Sequence, residues 1–207
     1  MSQFTFNLEN KPALGRNDFI VSESNLDAIR WIDNWPNWSH NSSGLNVVGP
    51  KSSGKTHLGS AWCSLSKAEW VNAPITDGMR VPDILKNGQH IVLDNFNHTW
   101  PGVPLLHLYN LVRERAGFIL IISETPVAQL GVAPDDLASR LSTMPVVAIK
   151  PPDDFLLKEV MLKLFKDRQI VVENGVLDYL VVRMERAYEE ALRLVNLLDK
   201  EDKKEKR

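Results

Sequence analysis

The sequence predicts a five-stranded parallel α/β sheet followed by a small helical unit, on three observations. Short apolar stretches alternate with helical patterns between residues 45 and 149. One of these stretches runs into a glycine-containing loop and then directly into a helix. Beyond Pro151-Pro152, every periodic segment has helical spacing. Continuous apolar strands separated by helices indicate a parallel sheet covered on both faces.

Residues 1–16 form a polar leader whose apolar cluster lies in Gln3–Leu8, with Pro12 and Gly15 after it. The core is expected over 17–150. Its first helix is predicted over Ser24–Trp35: Ser24 can cap it, Leu26, Ile29 and Ile32 recur at helical spacing, and Pro36 stops it. Strands are predicted at Leu45–Val48, Glu69–Val71, His90–Leu93 (ending on Asp94), Phe118–Ser123 and Val146–Ile149. Helices are predicted at Lys55–Leu65, Leu105–Arg115 and Asp135–Leu141. A helical lid over 151–200 reads as Asp153–Lys166, Gly175–Met184 and Ala187–Leu198, and a charged tail covers 201–207.

Composition narrows the function. The 207 residues are 43% hydrophobic and 24% charged, as in ordinary globular proteins, and the net charge of −2 supplies no basic field for nucleic acid. The single cysteine, Cys63, permits no internal disulfide and points to a reducing, cytoplasmic compartment. No apolar run is long enough to span a membrane, and no secretory signal opens the chain. The six tryptophans do not align as a base-stacking platform and are read as packing residues, as are His57 and His107.

The chemistry sits in Gly49-Pro50-Lys51-Ser52-Ser53-Gly54-Lys55-Thr56, which fits G-x-x-x-x-G-K-[ST] without mismatch. Glycines let successive N–H groups curl around one anion, and the following helix adds its positive end. Lys55 is placed to reach β- and γ-phosphates, and Thr56 to offer its hydroxyl to Mg²⁺. Asp94 has the position of the second carboxylate of such sites, holding the Mg²⁺ water shell. The ligand implied is ADP or ATP with Mg²⁺.

Together these motifs resemble the DnaA subfamily of AAA+ proteins and, within it, the Hda group of replication-initiation regulators. Gln3, Phe4, Phe6 and Leu8 look like that group's sliding-clamp motif, although Phe4 and Phe6 could equally tuck into this domain's own surface. Leu93-Asp94-Asn95 resembles the group's second nucleotide motif, including the Asn. Asp136–Leu141 is close to its arginine-finger segment, which makes Arg140 the finger. Glu185-Arg186 matches the position of the second sensor arginine, with Arg183 as a competitor. The resemblance also implies that Ser123, or else Thr125, touches the γ-phosphate region. It further implies that Phe19-Ile20-Val21 forms part of an adenine pocket; by sequence alone these three serve equally well as core.

Most AAA+ ATPases carry Glu where this chain has Asn95, and a carboxamide is a poor base near neutral pH. Slow hydrolysis by the chain alone is therefore expected; Glu23, Glu69 and Glu124 are carboxylates that the sequence does not place. The resemblance implies a regulator on the β sliding clamp of DNA polymerase III, presenting Arg140 to ATP held by the DnaA initiator. It allows a homo-oligomer and implies no sequence-specific DNA binding. Two other readings stay open: an autonomous AAA+ ATPase such as a helicase loader, and a DnaA paralogue that recruits or protects the initiator.

Overall fold

The computed structural model describes residues 19–38, 42–75, 80–86 and 88–205, with the side chains of 202–205 excepted. The elements run α1 (Leu26–Asp33), β1 (Gly44–Val48), α2 (Lys55–Ser66), β2 (Glu69–Val71), α3 (Val81–Ile84), β3 (Ile91–Phe96), α4 (Gly102–Glu114), β4 (Ile119–Ser123), α5 (Asp135–Ser142), β5 (Val146–Ala148), α6 (Asp154–Asp167), α7 (Asn174–Val181) and α8 (Tyr188–Glu205). The five strands form one parallel sheet in the order β2-β3-β4-β1-β5.

Strand alternation sorts the core into two layers. Ile91 and Leu93 of β3 and Ile119 and Ile121 of β4 pack with Leu105, Leu108 and Val112 of α4 and with Leu137 and Leu141 of α5. Leu45 and Val47 of β1, Val92, Leu120 and Ile122 pack on the other face, with Ile29 and Ile32 of α1 and Leu58 and Trp62 of α2. A third cluster closes the C-terminal helices on themselves: Leu157, Met161 and Phe165 of α6, Leu177 and Val181 of α7, and Ala191 and Val195 of α8. Asp153 caps α6, its carboxylate accepting from the Leu156 N–H at 2.8 Å.

Some local expectations change. Ser24 does not cap α1; Asn25 holds that position, its side chain accepting from the Ser22 N–H at 3.0 Å, while the Ser24 and Ser22 hydroxyls bond each other. β3 does not end on Asp94 but continues to Phe96, through a register shift against β4. α3 is four residues long, too short for its sequence to show a helical period. α8 extends to Glu205, so most of the expected tail is helix.

One buried polar residue ties the layers to the site. Asn46 of β1 is fully buried; its amide donates to the Ile121 carbonyl at 3.2 Å and to Ser123 Oγ at 2.9 Å, and its Oδ1 accepts from the Val127 N–H at 3.0 Å. Asn46→Leu would leave the Val127 N–H buried and unpaired. The expected cost is about 1–3 kcal/mol of stability, the usual penalty for a buried group stripped of its partner. Equilibrium denaturant unfolding of wild type and variant measures it.

Candidate phosphate-binding cavity

β1 runs into the loop Gly49–Thr56, and the backbone there demands the residues the motif supplies. Gly54 has φ +94°, a left-handed conformation that L side chains resist, and α2 begins at the next residue. A Cβ on Gly49 would collide with the Ile149 carbonyl oxygen beyond β5, so the loop can pass close to that strand only with glycine there.

Lys55 folds back over the loop, its ammonium donating to the carbonyls of Gly49 at 2.8 Å and Pro50 at 2.7 Å. Burial pulls Lys55 below the ordinary lysine range; Glu124 opposes that pull, and Asp94 after it. The Thr56 hydroxyl donates to the Asp94 carboxylate, at 3.2 Å to one oxygen and 3.5 Å to the other. Asp94 is 3% exposed. Burial raises it above the ordinary carboxylate value, against the Asn95 N–H, the Thr56 hydroxyl and the Lys55 charge, which hold it down. Asn95 takes φ +56°, a conformation Asn tolerates better than most residues, and turns into the cavity.

Ser53 decides the fit to an anion. It is 3% exposed, and its Oγ has no hydrogen-bond partner. An orphaned buried hydroxyl inside a phosphate-type loop suits a ligand oxygen. The curled N–H groups, Lys55 and the start of α2 form the remaining parts of a phosphate cradle. Among the described residues no three or more His, Cys, Asp or Glu cluster as a metal site. A Mg²⁺ here would be held by Thr56 and Asp94, with phosphate oxygens completing its shell.

The loop floors a cavity of about 1150 Å³. Phe19 and Ile20 line one wall, with Leu130; Val160, Leu164 and Leu192 of the lid line another. That mainly apolar part fits a planar base. The Phe19 ring also meets His57 at 4.8 Å between centroids, tilted by 58°, and His57 lines the cavity as well as packing. Lys51, Ser52, Ser53, Gly54, Lys55, Thr56, Asn95, Ser123, Glu124 and Thr125 line the polar part. The Ser123 hydroxyl is already committed, accepting from Asn46 and donating to the Thr125 carbonyl at 2.7 Å.

The two arginines expected at this chain's own phosphates, Arg186 and its competitor Arg183, lie elsewhere. Arg186 pairs with Asp154 at 2.8 Å, is more than half exposed and does not line the cavity. It sits in the turn before α8, and the lid residue that contacts the phosphate loop is Tyr188. The Tyr188 ring lies over Gly54, its N–H donates to the Ser52 carbonyl at 3.3 Å, and Glu189 lines the cavity beside it. Arg183 also stays away, stacked on Tyr179 at 3.8 Å. Arg140 lies on α5 outside the cavity. It bonds Asp136 at 3.0 Å and Asn110 at 3.1 Å and rests 5.7 Å from the Tyr109 ring centre. Gln3, Phe4, Phe6 and Leu8 fall outside the described residues. Sequence reading missed Asn46, Tyr188 and Glu189; a buried-strand Asn was the one visible signal.

A parallel sheet in this order, a P-loop between β1 and α2, and a helical lid over the loop define a P-loop AAA+ fold. The fold is DnaA-like: a replication initiator DnaA bound to AMPPCP and single-stranded DNA is similar at 19% identity and a TM-score of 0.71, covering 90% of this chain and 65% of that one. Domain III of Thermotoga maritima DnaA is similar at 17% and 0.70, covering 89% and 85%. A RuvB variant from Thermotoga maritima is similar at 16% and 0.65, covering 88% and 64%. This chain thus spans about two thirds of the first DnaA chain's length. By sequence, it matches no protein-family profile and no curated protein. Among the described residues, no helix is long and apolar enough to cross a membrane.

Proposed function

We propose that this chain is a DnaA-related regulator of replication initiation that binds an adenine nucleotide with Mg²⁺. In the cytoplasm, on the β sliding clamp, it lends Arg140 to ATP bound by DnaA. The observation that carries this reading is a complete phosphate cradle whose hydrolytic carboxylate is replaced by Asn95. Such a site is suited to holding nucleotide rather than turning it over. Arg140, on a helix away from the chain's own cavity, is free of any role there, and a guanidinium is the group that neutralises charge on a transferring phosphoryl group across an interface. The similarity to DnaA structures supports the choice of partner, since AAA+ proteins of like shape can place one subunit's edge against another's nucleotide. The test is a reconstituted assay of DnaA–ATP hydrolysis with clamp-loaded DNA. Faster decay on adding this chain supports the reading; an unchanged decay rate rejects it.

Clamp binding rests on Gln3–Leu8. An extended peptide can seat Phe6 and Leu8 in an apolar pocket while Gln3 hydrogen-bonds at its rim. Short motifs bury little area, so modest affinity is expected, and the clamp serves to concentrate the protein on DNA. Gln3→Ala should abolish clamp pull-down with nucleotide binding intact. If removing residues 1–10 leaves pull-down unchanged, the motif does not dock.

The rival reading, an autonomous ATPase, has one observation on its side: the Glu124 carboxylate lies in the cavity. Purified protein with Mg²⁺ and ATP should nevertheless release phosphate slowly, because Asn95 stands where the base belongs. Robust turnover without a partner would favour the autonomous enzyme.

A further inference from the structure

The first residues of β2, β3 and β4, which are Glu69, Ile91 and Ile119, pair side by side in the parallel sheet. The segments that enter these strands therefore meet at the edge opposite the phosphate loop. There they line a second, open cavity of about 530 Å³, formed by Ser66, Lys67, Gly88, Gln89, His90 and Arg115. None of these residues lines the first cavity. β3 separates the two: at about 3.3 Å per residue, His90 stands roughly 13 Å from Asp94 along the strand.

Two cations and no carboxylate line this cavity. Lys67 follows α2 and is exposed, and among the described residues no ion pair holds it. Arg115 follows α4. Its Nη1 donates to the Leu85 carbonyl and to the Gly88 carbonyl at 3.1 Å, which leaves Nε and Nη2 for another acceptor among the described residues. Glu69 passes Gly88, its Cγ 3.7 Å from where a Cβ there would lie, but stays out of the lining. Basic residues after two helices answer the partial negative charge at those helix ends, and that alone would account for both cations. It does not account for His90. The ring is 7% exposed, and its Nδ1 accepts from the Phe118 N–H at 3.1 Å. Burial holds it below the ordinary histidine range, so it is neutral near pH 7. A neutral ring that accepts at Nδ1 carries its proton on Nε2. That Nε2–H faces the Gln89 amide nitrogen at 3.2 Å, so two donors meet. Turned over, the amide would accept from the imidazole and close the pair. As it stands, both N–H groups suit one oxygen acceptor about 2.9 Å from each.

We propose that this cavity is an oxyanion site that takes a phosphate group on the His90 and Gln89 N–H donors, with Lys67 and Arg115 balancing its charge. The site stands independently of the nucleotide-binding reading. A phosphate presents several acceptor oxygens and no obligatory donor, which matches a lining of two directional N–H groups and two cations. His90 is the fixed point: the Phe118 backbone sets its tautomer, and the Trp35 and Phe118 rings, 5.3 and 5.6 Å away between centroids, hold its plane.

The test is amide-resolved NMR of the full chain titrated with inorganic phosphate at constant ionic strength, with sodium chloride making up the balance. Saturating shifts are expected at the Lys67, Gln89 and His90 amides, read separately from any in Gly49–Thr56. Lys67→Gln, at an exposed position, should weaken phosphate roughly tenfold, the scale of one lost charge-assisted hydrogen bond. Gln89→Glu, also exposed, should abolish binding, because it removes a donor, adds a carboxylate and gives the His90 Nε2–H an internal acceptor. Amides away from the cavity check that each variant keeps its fold. A second titration with glycerol 3-phosphate separates the sources. Tighter binding than inorganic phosphate assigns the site to a phosphorylated small molecule; equal or weaker binding assigns it to the free anion. Shifts that fail to saturate, that chloride alone reproduces, or that persist unchanged in both variants overturn the proposal and make the His90–Gln89 contact a closed internal hydrogen bond.

Discussion

Arg140→Ala is expected to keep its fold, its nucleotide and its clamp binding, and to lose stimulation of DnaA-bound ATP hydrolysis. Arginine supplied across an interface accelerates phosphoryl transfer by about 10³–10⁵ in the best-understood GTPases, so even a small part of that range gives a measurable difference. The side chain is 40% exposed and is held by Asp136 on its own helix and by Asn110 on α4. Such exposed contacts are weak and exchange readily for a phosphate. Arg140 does not line this chain's own cavity, so its removal should not disturb a nucleotide bound there. Arg140→Lys should fail largely as well, because a point-charge ammonium cannot reproduce the planar two-pronged contact. The measurement is DnaA–ATP decay with loaded clamp and either wild type or variant. Equal decay rates would make Arg140 a surface residue and favour a recruiting or protecting role.

Lys55→Ala should all but remove nucleotide binding. The ammonium is half-buried beside the loop and is drawn below its ordinary pKa by that burial. A charge-assisted hydrogen bond of this kind contributes roughly 1.5–3 kcal/mol, and Lys55 is placed to make more than one. The lysine bonds two loop carbonyls, that of buried Gly49 and that of exposed Pro50, so circular-dichroism melts check that the variant keeps its fold. Titration with ADP–Mg²⁺ reads the loss; unchanged affinity would remove the phosphate assignment. Stimulation of DnaA should fall in the same variant for a different reason. The Tyr188 ring rests on Gly54, and through that contact a nucleotide bound in the loop would steady the lid in the proposed reading.

Fold class, lid and phosphate loop are legible in the chain's residues alone, because each is written in local terms. Apolar stretches such as Leu45–Val48 and Ile119–Ile122 identify buried parallel strands without reference to their neighbours. The loop Gly49–Thr56 works through backbone curvature and adjacent side chains, and these are properties of consecutive residues. Tertiary structure alone decided which side chains meet in the cavity. The extension of β3 to Phe96 follows from its register with β4, a long-range pairing. Ser123 is oriented by Asn46, a residue 77 positions away along the chain. The lid shows the physical reason most clearly. Arg186 and Glu189 are separated by less than a turn of helix, so sequence spacing cannot say which faces the loop. The packing of Ala191 and Val195 against Leu157 and Met161 sets the rotation of α8. That rotation, with Asp154 waiting to bind Arg186, turns the arginine outward and the glutamate in.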